Sequence, residues 1–258
     1  MAPSRSSVVP LSKRKIACKD CSLFQICLPV GISEEELERL EKIIQRRRPV
    51  KRGDHLYNSG DPFRSICAVR SGSIKSYVPT EKGNEQVTGF HLPGELLGLD
   101  AISQKIHPCS AKALETTSVC EIPYEQFELL SNELPVLHRQ LINLMSKEIF
   151  EEETHMVLLG KKSAEERLAA YLFSISMRYQ RRGFSATEYY LSMSRNDIGN
   201  YLGLAVETVS RMFTRFQDDG LLTVERKHII IHNLDRLRHL AGAMPCKSGG
   251  NSFCLTRS

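Results

Sequence analysis

His138, Ile142, Met145, Ile149, Glu152, Met156 and Leu159 succeed one another in alternating steps of four and three. Such steps hold side chains on one stripe of a helix, the a and d positions of a heptad repeat. The stripe begins just after Pro135 and predicts a single long helix. A helix of that length needs something to cover its apolar side, either a second copy or its own domain. Glu152 favours a tuned pairing of two copies, because two seam carboxylates facing each other repel at neutral pH. The expected interface residues are Ile142, Met145, Ile149, Glu152, Met156 and Leu159, and the association they form should be marginal and open to control.

The helix divides the chain into two different textures. Before it, Ser33-Glu34-Glu35-Glu36 is a Ser cap with Glu three positions on, leading into Leu37, Leu40, Ile43 and Ile44 at helical spacing, a helix expected to end before Pro49. From Val50 to about Glu121 the chain changes to short apolar or alternating runs, among them 65–69, 73–78 and 86–90. Turn signals at Gly60-Asp61-Pro62, Ser71-Gly72, Lys82-Gly83-Asn84 and Pro93-Gly94 separate them. Short strands at this spacing predict a small antiparallel roll.

After the long helix, Ala164 to Leu172 reads as helix. Residues 194–217 then give helix, turn and helix, with Gly203 at the turn. Ile198, Leu202, Leu204, Val209 and Phe213 are spaced to share one core. Glu207, Thr208, Ser210 and Arg211 lie near the start of the second helix, with Arg215 one turn later. Side chains at that end of a recognition helix reach base edges, where Arg bonds guanine bidentately and Glu accepts from cytosine N4. Leu221 to Val224 and His228 to Ile231 flank Glu225-Arg226-Lys227, a hairpin wing suited to a phosphate contact.

Charge supports a nucleic-acid partner for the second half. Residues 161–258 carry 15 Lys and Arg against 9 Asp and Glu, a net +6, while residues 1–160 carry 20 against 21, a net −1. A chain of 258 residues is long enough for two cores. It has no apolar run approaching a membrane span and no apolar signal segment, so a soluble, cytoplasmic protein is expected.

Eight cysteines in this length do not make a disulfide scaffold. Three are clustered: Cys18, Cys21 and Cys27, in the run Cys-Lys-Asp-Cys-Ser-Leu-Phe-Gln-Ile-Cys. Thiolates spaced in this way converge on one site, which still needs a fourth ligand. Cys67, Cys109, Cys120, Cys246 and Cys254 are all open on spacing alone; zinc and an iron–sulphur cluster both accept four thiolates, and redox-active or inert thiols that hold no metal fit the same spacing. A metal or redox centre joined to a DNA reader is a sensor. His91, His107 and His138 accompany no nucleophile motif, so no enzyme activity is expected.

These residues resemble the FNR family, the oxygen-responsive branch of the catabolite-activator (CRP) superfamily. The resemblance covers nearly the whole chain, from the cysteine loop through Ile74 to Tyr77, Thr88 to Leu92, Val119 to Pro123, Ala164 to Ala170, and Asp197 to Leu204 with Val206 to Thr208. It implies an α+β fold: an antiparallel β-roll like the cyclic-nucleotide-binding domain, a long dimerisation helix and a winged helix-turn-helix. The corresponding segments are 1–30 for the cluster, 31–133 for the roll, 134–160 for the helix, 161–245 for the DNA-binding domain and 246–258 for a tail. It further implies one 4Fe-4S cluster per subunit on Cys18, Cys21, Cys27 and Cys120, leaving Cys67, Cys109, Cys246 and Cys254 as non-ligands.

By the same resemblance, the cluster-loaded homodimer binds double-stranded DNA without oxygen, and loss of the cluster in oxygen loosens it. Glu207, Ser210 and Arg211 match the family's base-reading trio for a palindrome of TTGAT-like half-sites, and the 81–85 loop is a candidate contact for RNA polymerase. One departure is Ala205, where relatives carry Thr, so a helix cap worth about 1 kcal/mol is missing. No cyclic nucleotide is expected, because the positions of the phosphate-binding Arg-Ser pair and the ribose-binding Glu are Cys109-Ser110 and Leu99.

Overall fold

A computed structural model describes residues 18, 21–23, 26–27, 31–80, 83–244 and 254–255. Most of the 1–30 segment, residues 81 and 82 of the 81–85 loop, and Cys246 with most of the 246–258 tail therefore lie outside the described residues.

Helix α1 (Glu34–Ile43) opens with the expected capping box: Ser33 accepts from Glu36 N while the Glu36 carboxylate accepts from Ser33 N. It stops earlier than the helical spacing suggests, because residues 45 and 46 are drawn into a sheet as β1 (Gln45–Arg46). Seven further strands follow: β2 (His55–Tyr57), β3 (Ser65–Ser71), β4 (Ile74–Pro79), β5 (Glu85–His91), β6 (Leu96–Leu97), β7 (Ser110–Ala113) and β8 (Ser118–Pro123). They form two antiparallel four-stranded sheets, ordered β1-β8-β3-β6 and β2-β7-β4-β5.

Strand alternation decides what each face meets. On β3, Cys67 and Val69 point into the roll with Tyr57, Ile74, Leu97 and Val119, while Ile66 and Ala68 point out. The outward face packs on α1, on α2 (Tyr124–Glu133), a helix that the sequence periodicity did not single out, and on α3 (Pro135–Lys161).

The long helix exists as one piece, with Pro135 at its first turn, where its missing N–H costs nothing. One stripe of α3, carrying Leu137, Leu141 and Leu158, is buried within the protomer. The neighbouring stripe leaves Ile142 50%, Ile149 60% and Met156 64% exposed. The expected seam is not uniform. Met145 packs against the roll core and Leu159 is half-buried, because a helix lying on its own domain must turn part of any stripe inward.

The second domain holds α4 (Ala164–Gln180), β9 (Glu188–Tyr190), α5 (Arg195–Leu202), α6 (Val206–Asp218), β10 (Leu222–Glu225), β11 (His228–Ile231) and α7 (Leu234–Leu240). The wing is the β10–β11 hairpin, with Arg226 at φ 59° in its turn, and β9 adds to it as a third strand. A backbone pairing of β12 (Ala243–Met244) with β13 (Cys254–Leu255) ends the described chain.

The two domains are fastened together. Tyr77, Val87, Phe90 and Leu92 of the roll share the core of the second domain with Leu168, Tyr171, Ile198 and Leu202. Glu95 accepts from Arg178 and Arg182, whose guanidinium groups also bond the carbonyls of Phe90 and Pro93. His155 of α3 stacks on Tyr201 of α5 at 4.1 Å between ring centroids.

Candidate metal centre and nucleic-acid interface

The pleat of β8 turns Cys120 toward the α1 side, with Ile122, and turns Val119 and Glu121 into the roll. The cysteine loop reaches the same place. A turn closed by Cys21 N to Cys18 O at 3.1 Å folds the first pair back, and Cys27 N to Leu23 O at 3.0 Å returns the third cysteine. Cys18, Cys21, Cys27 and Cys120 thereby line one pocket, whose remaining walls are mainly Leu23, Leu40, Ile44, Ala68, Val69 and Ile122.

These surroundings shape the thiols. Burial pushes the Cys18 thiol up to about 12, with further push from Glu41 and then from Cys120, Cys27 and Cys21. Glu41 also accepts a hydrogen bond from Cys18 N. Burial raises Cys120 as well, but Arg46 and Arg70 pull it back, Arg46 also through a hydrogen bond.

Four soft donors in an apolar pocket suit a thiolate-ligated metal or cluster once deprotonated. Among the described residues no three His, Cys, Asp or Glu side chains already form a single-ion coordination shell, so the thiols share a pocket rather than converging on a point. Cys67 and Cys109 are elsewhere, buried inside the roll. Cys109 donates to Asp100 at 3.3 Å.

At the other end of the molecule, Ser194 caps α5 in a capping box with Asp197, and Gly203 ends it at φ 62°. A Cβ on Gly199 would stand 2.7 Å from the Leu204 carbonyl, so only glycine lets α5 approach the turn this closely. Helix α6 begins at Ala205 without a side-chain cap. Val209, Phe213 and Phe216 bury one face of it. The other face leaves Glu207, Ser210 and Arg211 exposed, with Thr208 half-buried beside Arg211 (Nη2 to Oγ1, 3.3 Å). Arg215 stands apart from this group, paired with Glu165 of α4 at 3.0 Å.

Sequence reasoning missed the polar groups that set these parts in place. Arg46 and Arg70 carried no motif, and Lys75, Glu95 and Asn200 gave no signal beyond ordinary surface polarity. Each acts on residues distant in the chain, and local pattern does not report such partners.

A β-roll that carries a thiol pocket, joined through a long half-uncovered helix to a winged helix-turn-helix, defines a DNA-binding regulator with a sensory half. Residues 47–133 match the cyclic nucleotide-binding domain family, and residues 166–240 match the Crp-like helix-turn-helix domain family. The chain is 54% identical over 225 residues to the transcriptional activator protein anr of Pseudomonas aeruginosa, covering 87% of this chain and 92% of that protein. It is 52% identical over 227 residues to the fumarate and nitrate reduction regulatory protein of Escherichia coli K12, covering 88% and 91%. Among solved structures it resembles FixK2 from Bradyrhizobium japonicum, with a TM-score of 0.71 and 32% identity over 79% of this chain and 100% of that one. The chain belongs to the FNR/ANR branch of the CRP/FNR family, whose members are transcription regulators and not enzymes. No described helix is long and apolar enough to cross a membrane.

Proposed function

We propose that this protein is a cytoplasmic, oxygen-responsive transcription regulator that holds a 4Fe-4S cluster on Cys18, Cys21, Cys27 and Cys120 and reads palindromic TTGAT-like sites as a dimer. The observation that carries this reading is the single apolar pocket lined by three loop thiols and one strand thiol far along the chain. The names of the relatives, an activator and a regulator of fumarate and nitrate reduction, support a role in activating or repressing genes of anaerobic metabolism. Zinc would also accept four thiolates, and the experiment below separates the two.

When bound, the cluster supplies an oxygen-labile tie between the cysteine loop and β8. The chain does the rest. Cys27 and Cys120 pack against the same core as Leu40, Ile122, Leu137, Leu141 and Met145, so the ordering of the loop bears directly on the inner stripe of α3. The outer stripe, with Ile142, Ile149, Glu152 and Met156, is then offered to a second copy, and Glu152 keeps that pairing close to balance. Pairing sets two copies of α6 on one duplex, with Glu207, Ser210 and Arg211 toward base edges, Thr208 beside them, and Arg215, held by Glu165, one turn further along. The 81–85 loop is proposed as a contact for RNA polymerase.

A cyclic nucleotide is not proposed as the signal. Leu99 is buried in the apolar core, and Cys109 faces the Asp100 carboxylate, which would repel a phosphate.

The test is an absorption spectrum of protein prepared without oxygen, with iron and sulphide assays, repeated after air is admitted. A brown protein with about four iron and four sulphide per chain that bleaches in air is expected. A colourless zinc protein indifferent to air would leave a DNA-binding regulator with a different signal.

A further inference from the structure

The thiol pocket is electrostatically polarised. On one side, the β1–β8 register sets Arg46 directly opposite Cys120, and directly paired residues project on the same face of a sheet. Arg46 is half-buried there, and Arg70 lines the same pocket. The other side is the loop end of the site. There Glu41, half-buried on α1, accepts from the backbone of Cys18. Guanidinium groups thus stand beside Cys120, Arg46 as its cross-strand neighbour and Arg70 on the pocket wall, while a carboxylate stands beside Cys18, and the rest of the wall is apolar.

Four thiolates around an iron–sulphur core carry net negative charge, and burying it between such walls is costly unless cations offset it. Hydrogen bonds and charges around the sulphurs also decide how firmly the group is held. From this we infer that Arg46 and Glu41 are opposing positioning residues of the site: Arg46 retains the thiolate-bound cluster at the Cys120 end, and Glu41 weakens retention at the Cys18 end. The protein tunes how readily the cluster leaves through these two charges, independently of the four ligands. The inference rests on the cluster reading above.

The experiment measures iron loss to a chelator under nitrogen, followed by the fading of the visible absorption, on the full chain. Wild type is compared with Arg46→Gln, Arg46→Lys and Glu41→Gln, the last keeping an acceptor for Cys18 N while removing the charge. Arg46→Gln is expected to lose iron about tenfold faster or more, Arg46→Lys to stay close to wild type, and Glu41→Gln to lose it more slowly. Thermal unfolding of the metal-free proteins should coincide, which separates a charge effect from damage to β1.

If Arg46→Gln keeps its iron as wild type does, or if Arg46→Lys fails as badly as Arg46→Gln, the assignment to Arg46 is overturned. Glu41→Gln losing iron faster than wild type would overturn the opposing role of Glu41. A wild-type protein that takes up no iron and sulphide at all would overturn the cluster reading itself, and this inference with it.

Discussion

Lys75 of the roll and Asp197 of the helix-turn-helix form an ion pair at 2.9 Å, although 122 positions separate them. Lys75 also bonds Glu85, so one buried ammonium serves two carboxylates. Burial disfavours each charge, yet the contacts win. Lys75 is held above its usual range, and Asp197 below its own through Ser194 and Lys75. The same α5 helix presents Asn200, whose amide accepts from Val87 N at 2.6 Å and donates to Glu85 O at 2.5 Å. Asn200 thus occupies the place a further strand would take beside β5, the edge of its sheet.

Replacing Lys75 by Met should leave Asp197 without its cation and Glu85 with only the more distant Lys112, at 3.9 Å. Loss of about 3 kcal/mol of stability is expected, at the low end for a broken buried pair because Glu85 keeps some access to water. Urea unfolding measures the loss. A variant as stable as wild type would show that the pair does not hold the domains together.

Glu95 gives the clearest pH dependence. Burial opposes its ionisation, but Arg178 and Arg182 outweigh that and hold its carboxyl far below the usual glutamate range. Its folded pKa lies below its unfolded one, so the stability it contributes is full above the unfolded value and is lost as pH falls below about 4.5. Glu95→Gln should cost about 3 to 5 kcal/mol at neutral pH by leaving the two guanidinium groups without a counter-charge, and the gap to wild type should narrow in acid. Unfolding free energies measured across that range check the sign. A gap that widened in acid would contradict it.

The exposed stripe of α3 yields a prediction about association. Removing the seam carboxylate with Glu152→Ala should strengthen self-association by roughly fivefold, about 1 kcal/mol, and leave a dimer in air. Ile149→Asp should act in the opposite direction while leaving the fold unchanged. Sedimentation velocity distinguishes these states, and an aerobic monomer for Glu152→Ala would refute the role given to that residue.

On α6, Arg211→Ala should cost about 1 to 3 kcal/mol on a specific site and relax preference at one base pair. Binding titrations on a set of singly substituted duplexes would show this as a loss confined to one column of the series. Equal weakening on every sequence would make Arg211 a phosphate contact instead.

The sequence by itself determined the elements whose signals are local. The Ser33 and Ser194 capping boxes, the α3 heptad stripe, the Gly203 turn and the runs that became β3, β4 and β5 are each written in a few neighbouring residues, because period and cap chemistry act within a turn or two of chain. Those same signals fixed which faces are apolar and exposed α6 for reading DNA. The tertiary structure alone decided which face meets which partner. It ended α1 at Ile43 by pairing Gln45 and Arg46 with β8, and it turned Met145 inward while leaving Ile142 and Ile149 exposed. Cys120, rather than Cys67, stands on the loop side because the pleat of β8 and β3 sends them to opposite faces. Periodicity tells a residue's side of its own element. Only sheet register and packing settle what lies across from it, which is why Arg46, Lys75 and Asn200 became visible only once distant strands and helices were brought together.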